Sequence, residues 1–135
     1  MDELTISYGL LAPQARASQD LHILPITKIL YPEGQDGYFL TCSRDGSVIK
    51  HRFDASGATT RRNRMQAHSD WVTDIIQVSR NKFITVSHDF SIVLLTLHDG
   101  SDTWETKIIG DHEDYIKCVV HVPSDDDDFL FATGG

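Results

Sequence analysis

The chain has 135 residues, of which 40% are apolar and 24% charged, the balance of a single globular domain with a core. Twelve Lys and Arg against twenty Asp and Glu leave a net charge of −8. That charge excludes a broad nucleic-acid or anionic-membrane binder, which needs cations to release phosphate counterions. No apolar run approaches the roughly 20 residues of a membrane helix, and the acidic N-terminus MDELTISYGLL lacks the basic start of a signal peptide. An intracellular protein is expected, in the cytoplasm with the nucleus as a second compartment.

Residues 1–21 carry a strand-like stretch over about 4–10, beginning Leu4-Thr5-Ile6-Ser7-Tyr8. From His22 onward the chain repeats itself. His22, His68 and His112 stand 46 and 44 residues apart, a period to be sought before any other feature. After each histidine comes a branched run: ITKILYP, WVTDIIQV and YIKCVVHV. A polar turn follows, then an apolar run: YFLTCS, FITVS and FLFATGG. In the first two units that run ends in a turn, Ser43-Arg44-Asp45 or Ser87-His88-Asp89, and another branched run begins. Fourth strands are expected around Thr59–Met65 and Trp104–Ile109. The runs are short, rich in Val, Ile, Phe and Thr, and bounded by Gly, Asp, Ser and Asn, so they predict strands. No stretch of ten or more residues has a helical apolar period. The units are 22–67, 68–111 and 112–135.

Four strands per 44–46 residues is the period of a β-propeller blade. The histidine 21–23 residues before a turn aspartate, with this strand order, resembles the WD repeat. The stretches His68-Ser69-Asp70-Trp71-Val72-Thr73-Asp74-Ile75 and His112-Glu113-Asp114-Tyr115-Ile116-Lys117 resemble blades two and three of the WD-repeat activators of ubiquitin-specific proteases, the family of WD-repeat protein forty-eight and the fungal deubiquitinase-associated factors. Leu4–Tyr8 is similar to that family's N-terminal strand, and Arg44-Asp45-Gly46 to its first-blade turn. The resemblance implies an all-β fold, about the first three blades of a seven-bladed ring with the third incomplete, in which residues 4–10 would close the last blade. It departs from the WD pattern where the third strand should carry Trp, for His51 and Leu95 stand there, and Leu21, Ala67 and Asp111 replace the glycine before the repeat histidine.

His68, Ser87 and Asp89 have the residue types of a nucleophilic triad. The alternative is structural: a histidine, a strand-two hydroxyl and a turn aspartate brace a blade as a hydrogen-bonded network, which the resemblance implies for His22, Ser43, Asp45, His68, Ser87, Asp89 and His112. A buried carboxylate needs such partners. Because His and Asp recur at blade period, no catalytic residue is expected. Nor is a metal or cofactor: there is no Cys-x-x-Cys, no His-x-x-x-His and no Gly-rich phosphate loop. Cys42 and Cys118 lie in apolar runs and are expected as buried reduced thiols. Asp125–Asp128 reads as a solvated turn, with an acidic docking patch as the alternative. Arg61, Arg62 and Arg64 are expected to protect an exposed strand edge, with an acidic partner as the alternative.

Trp71 and Tyr115, beside Asp70, Asp74 and Asp114, stand at the start of an innermost strand. Packing and partner binding both suit them; as a partner-binding rim the candidates are Asp70, Trp71, Asp114 and Tyr115. The resemblance implies a non-enzymatic scaffold that binds and stimulates a ubiquitin-specific protease, with ubiquitin as a second contact, and no nucleic acid or membrane insertion. A WD-repeat adaptor in a ubiquitin ligase or coat is the alternative, and a hydrolase the third.

Overall fold

The computed structural model describes residues 21–34, 37–98, 102–122 and 130–135. Among them are ten strands and no helix: β1 (Ile26–Leu30), β2 (Tyr38–Ser43), β3 (Ser47–Phe53), β4 (Thr59–Gln66), β5 (Val72–Ser79), β6 (Lys82–Ser87), β7 (Ser91–His98), β8 (Thr103–Asp111), β9 (Cys118–Val122) and β10 (Leu130–Gly134). They form antiparallel sheets in the orders β1-β2-β3-β4, β5-β6-β7-β8 and β9-β10. Each sheet lies within one histidine-led unit. The strand expected over residues 4–10 and the run Asp125–Asp128 lie outside the described residues.

Strand periodicity explains how one sheet packs on two neighbours. Successive side chains point to opposite faces. On β6 and β7 the odd-numbered Phe83, Val93, Leu95 and Leu97 join Tyr38, Leu40, Cys42 and Val48 of the first sheet. The even-numbered Ile84, Val86 and Ile92 join Ile116 and Val119 of the third unit. A strand covered on both faces must be apolar at nearly every position, which is why FITVS and SIVLL do not alternate. Phe83, Ile84 and Leu95 are fully buried, each contributing about 1.5–3 kcal/mol by leaving water. The outer strands β4 and β8 pair on one side only, and their sequences TTRRNRMQ and TWETKIIGD are accordingly polar.

The parity breaks at a bulge. The register of β5 on β6 slips between Val72 and Asp74, so Val72 and Ile75 face the same core despite opposite parity. The register of β1 on β2 slips between Ile26 and Lys28. The bulged residues, Thr27 and Thr73, each follow the repeat histidine by five positions.

One sequence expectation needs correction. Cys118 is exposed, whereas Cys42 is buried; β9 pairs only with β10 among the described residues, and only Val119 of β9 turns into the core. The arginines of β4 do more than shield an edge. Arg61 lies 3.5 Å from Asp102 and Arg64 lies 3.9 Å from Asp45, while Arg62 Nε is buried without a hydrogen-bond partner among the described residues.

Candidate interaction site

Each unit folds its leading histidine back onto its own strands. In the first, His22 Nδ1 lies 3.3 Å from Asp45 Oδ2 and 2.8 Å from Ser47 Oγ, and its Nε2 lies 2.7 Å from Thr41 Oγ1. Asp45 also accepts from the Ile23 and Ser47 amides and from the Ser47 hydroxyl. An ionised carboxylate only accepts, so the His22 proton sits on Nδ1 and Nε2 accepts from the Thr41 hydroxyl. The Thr41 oxygen then has a lone pair for His51 Nε2–H, 2.8 Å away. The result is an ordered chain: His51 to Thr41 to His22 to Asp45.

The second unit repeats this brace and ends it earlier. His68 Nδ1 lies 3.0 Å from Asp89 Oδ2 and from Ser91 Oγ, and Nε2 lies 2.8 Å from Thr85 Oγ1. Leu95 stands where the first unit has His51, and is fully buried. In the third unit His112 Nε2 meets Thr133 Oγ1 at 2.7 Å.

Ser43 and Ser87 are therefore braces of the turn, and the strand-two hydroxyls that meet the histidines are those of Thr41 and Thr85. Ser43 Oγ donates to the Leu24 and Pro25 carbonyls and accepts from the Asp45 amide. Ser87 Oγ donates to the Asp70 carbonyl and accepts from the Asp89 amide. Side chains two residues apart on a strand share a face. Thr41 and Thr85 lie two before these serines, deeper in β2 and β6, and are the hydroxyls that reach the rings. Ser47 and Ser91, two past each aspartate, supply the other partner. The signal was present as Thr-x-Ser-x-Asp-x-Ser, written TCSRDGS and TVSHDFS.

The brace sets protonation. Burial holds His22 and His68 below the ordinary imidazole value, although the adjacent aspartates pull the other way. Burial, with the Arg62 and His22 charges, drives His51 down to about 3. For Asp89 burial is the strongest single influence and opposes ionisation. The hydrogen bonds from the Ser91 hydroxyl and amide, the His68 charge and the Ser69 amide together outweigh it and hold Asp89 at about 2. Asp45 is lowered by the same balance.

The turns bring a second set of residues to one rim. Arg44 Cζ stands 4.1 Å over the Trp71 ring. Trp71 stacks on His88 with centroids 4.7 Å apart, and His88 stacks on Tyr115 at 4.3 Å. Phe90 follows at 5.9 Å from Tyr115. The ladder Arg44–Trp71–His88–Tyr115–Phe90 thus draws on all three units, from the β2–β3 and β6–β7 turns and from the segments before β5 and β9. Trp71 and Tyr115 precede β5 and β9 rather than lying on them. Asp70 and Asp114 each turn one carboxylate oxygen onto the next residue's amide, at 2.7 Å in both cases. The sequence expectation named Trp71, Tyr115 and these aspartates, but missed Arg44, His88 and Phe90, which enter from the preceding turns.

An ionic cluster between β3 and the turn before β8 was also unanticipated. Lys50 and Asp102 are buried and lie 2.5 Å apart, and Arg52 meets the same carboxylate oxygen at 2.5 Å. The partners are 52 and 50 residues distant in sequence, which spacing within one unit cannot reveal. No protein-family model matches the chain.

Proposed function

We propose that the three sheets are consecutive blades of a WD-repeat β-propeller, and that the chain works as a non-enzymatic interaction scaffold that binds a ubiquitin-specific protease and stimulates it. The observation that carries the scaffold reading over a hydrolase is the commitment of the His68 ring. Its two nitrogens are bound to Asp89 and Thr85, its side chain is fully buried, and the Ser87 hydroxyl is turned onto a backbone carbonyl. A serine nucleophile needs a histidine nitrogen within hydrogen-bond reach and an open path to substrate. The same arrangement also recurs around His22, as a structural brace does and a single catalytic site need not.

The rim ladder supports binding. It sets aromatic and guanidinium surfaces on turns held by the braces, and such groups carry much of the energy in protein interfaces. A protease as the partner rests on the resemblance of HSDWVTDI and HEDYIK alone. Stimulation would follow if the scaffold bound the protease's competent conformation more tightly than the idle one. The test is retention of purified ubiquitin-specific proteases on the immobilised chain, followed by cleavage of a fluorogenic ubiquitin substrate. One protease should be retained and its kcat/KM raised. Retention without acceleration would leave an adaptor, and no retention would sink the protease reading.

A further inference from the structure

The outer hairpin of the first sheet carries the opposite charge to the rest of the chain. Residues 47–66, which span β3 and β4, hold Lys50, Arg52, Arg61, Arg62 and Arg64 against one carboxylate, Asp54, a net charge of +4 in a chain of −8. Asp54 is engaged by its own turn, where it accepts from the Ser56 amide and hydroxyl and from the Ala58 amide. Protection of a strand edge does not require this sign. β8 holds the same outer place in the second sheet and keeps its edge charged with Glu105, Lys107 and Asp111, a net charge of −1.

Two of the cations sit where like charges repel. Arg52 lies directly opposite Arg61 across the β3–β4 ladder, a pairing that destabilises a sheet and that an anion between them relieves. Asp102 is the carboxylate that meets them among the described residues, and the buried Lys50 already neutralises it. The excess positive charge therefore rests on the two guanidiniums, whose side chains are 42% and 60% exposed. Both reach toward Asp102 of the second sheet's β7–β8 turn, so their exposure persists with that neighbouring sheet in place. β4 also has a free backbone side. It is eight residues long and pairs with β3 alone among the described residues, so an extended segment can add to it as a further strand. Every cation of β4 is arginine, whose planar fork matches a carboxylate where a lysine offers a point charge.

Going beyond the protease reading and resting only on its scaffold part, we infer that β4 is a docking edge for an extended acidic segment of a partner protein. The segment adds to the free side of β4 and sets a glutamate or aspartate beside Arg61, where its carboxylate accepts from the guanidiniums of Arg61 and Arg52. Main-chain hydrogen bonds supply affinity, and the arginines select the charge.

The test uses the full chain and three fluorescein-labelled peptides: Thr-Glu-Thr-Glu-Thr-Glu-Thr, its Thr-Gln counterpart, which loses the charge, and its Pro-Glu counterpart, which keeps the carboxylates and loses donors along a strand edge. By fluorescence anisotropy the Thr-Glu peptide should bind saturably, about threefold or more tighter than either counterpart, and more weakly as salt rises. R61Q and R52Q should each weaken it about threefold, with the melting temperature of R61Q close to that of wild type, while K107Q on β8 should leave binding unchanged. Equal binding of the Thr-Glu and Thr-Gln peptides, or unchanged affinity in both arginine variants, would overturn the docking edge. So would tighter binding of a single-stranded oligonucleotide of equal charge, which would assign the arginines to phosphate. Retention of a protease by both wild type and R61Q, with no peptide bound by either, would overturn this edge and leave the scaffold reading in place.

Discussion

The hydroxyl of Thr27 donates to the carbonyl of Val72 at 2.6 Å, across 45 residues, and joins the first sheet to the second. Thr73 repeats the bond to the carbonyl of Ile116 at 2.5 Å. Both threonines sit at the bulge of their first strand, where the extra residue is freed from the ladder and can turn outward. The bulge that breaks the strand's parity is thus also the point at which one sheet is tied to the next. Lys28 and Asp74, one residue further on, add an ion pair at 2.6 Å, and Asp74 accepts from the Val119 amide at 3.0 Å.

Thr73→Val keeps the shape of the side chain and removes its donor. The Ile116 carbonyl then loses its partner while Ile116 itself stays buried. Denaturant unfolding should show a loss of about 1–2 kcal/mol. An unchanged midpoint would mean that the tie contributes nothing to holding the sheets together.

The braces predict a hierarchy among serines that look alike in sequence. Ser91 bonds Asp89 twice, through its amide and its hydroxyl, and also touches His68. Asp89→Ala removes the acceptor for all these groups and should cost about 1–3 kcal/mol. Ser91→Ala should cost part of that. In a double-mutant cycle Ser91→Ala should couple to His68→Ala, and Ser87→Ala should not. Coupling of Ser87 to His68 in place of Ser91 would contradict the geometry.

The strands were legible because both period and composition announce them: FITVS bounded by Asn81 and the SHD turn has few alternatives. The His-to-Asp braces were legible from spacing repeated in two units. The hydroxyl partners were not, because a spacing count does not say which of three nearby hydroxyls faces the ring; that depends on the face of β2 and β6. The ladder was half legible. Trp71 and Tyr115 stand out as aromatics after a repeat histidine, but Arg44 and His88 fill the unmarked middle position of Ser-x-Asp, and only folding stacks them on the next unit. Lys50 and Asp102 carried no signal, since neither belongs to the repeated motif.

Acid should destabilise the chain in two stages. His22, His51 and His68 are all lowered from 6.5, with His51 at about 3. Between the unfolded and folded values the unfolded chain binds more protons, so stability falls as pH falls below 6.5. Asp45 and Asp89 are lowered from 3.8, Asp89 to about 2. Their stabilisation is present above 3.8 and is lost as pH falls toward 2. His51→Leu copies the second unit, where Leu95 fills this place. It should reduce the loss of stability between pH 7 and pH 5 and leave the lower stage intact. Equal pH dependence in wild type and variant would show that His51 does not resist protonation.

The Lys50–Asp102 pair tests how a buried charge is tolerated between β3 and the turn before β8. Asp102 has three cations around it: Lys50 and Arg52, both at 2.5 Å, and Arg61 at 3.5 Å. Arg52 is 42% exposed and Arg61 60%, so water can serve them if the carboxylate is lost, but Lys50 is only 4% exposed. Its ammonium also lies 4.6 Å from the Tyr38 ring centroid, which cannot replace a carboxylate. Asp102→Ala should therefore strand a buried ammonium and cost about 3–5 kcal/mol. Lys50→Met should cost less, because Arg52 and Arg61 still neutralise Asp102. In the double variant no buried charge is left unpaired, and its stability should exceed that of Asp102→Ala alone. Urea unfolding of the four proteins measures the coupling. If the double variant were the least stable, the cost of Asp102→Ala would lie in lost packing or in the left-handed turn at Asp102, φ +55°, and not in the stranded lysine.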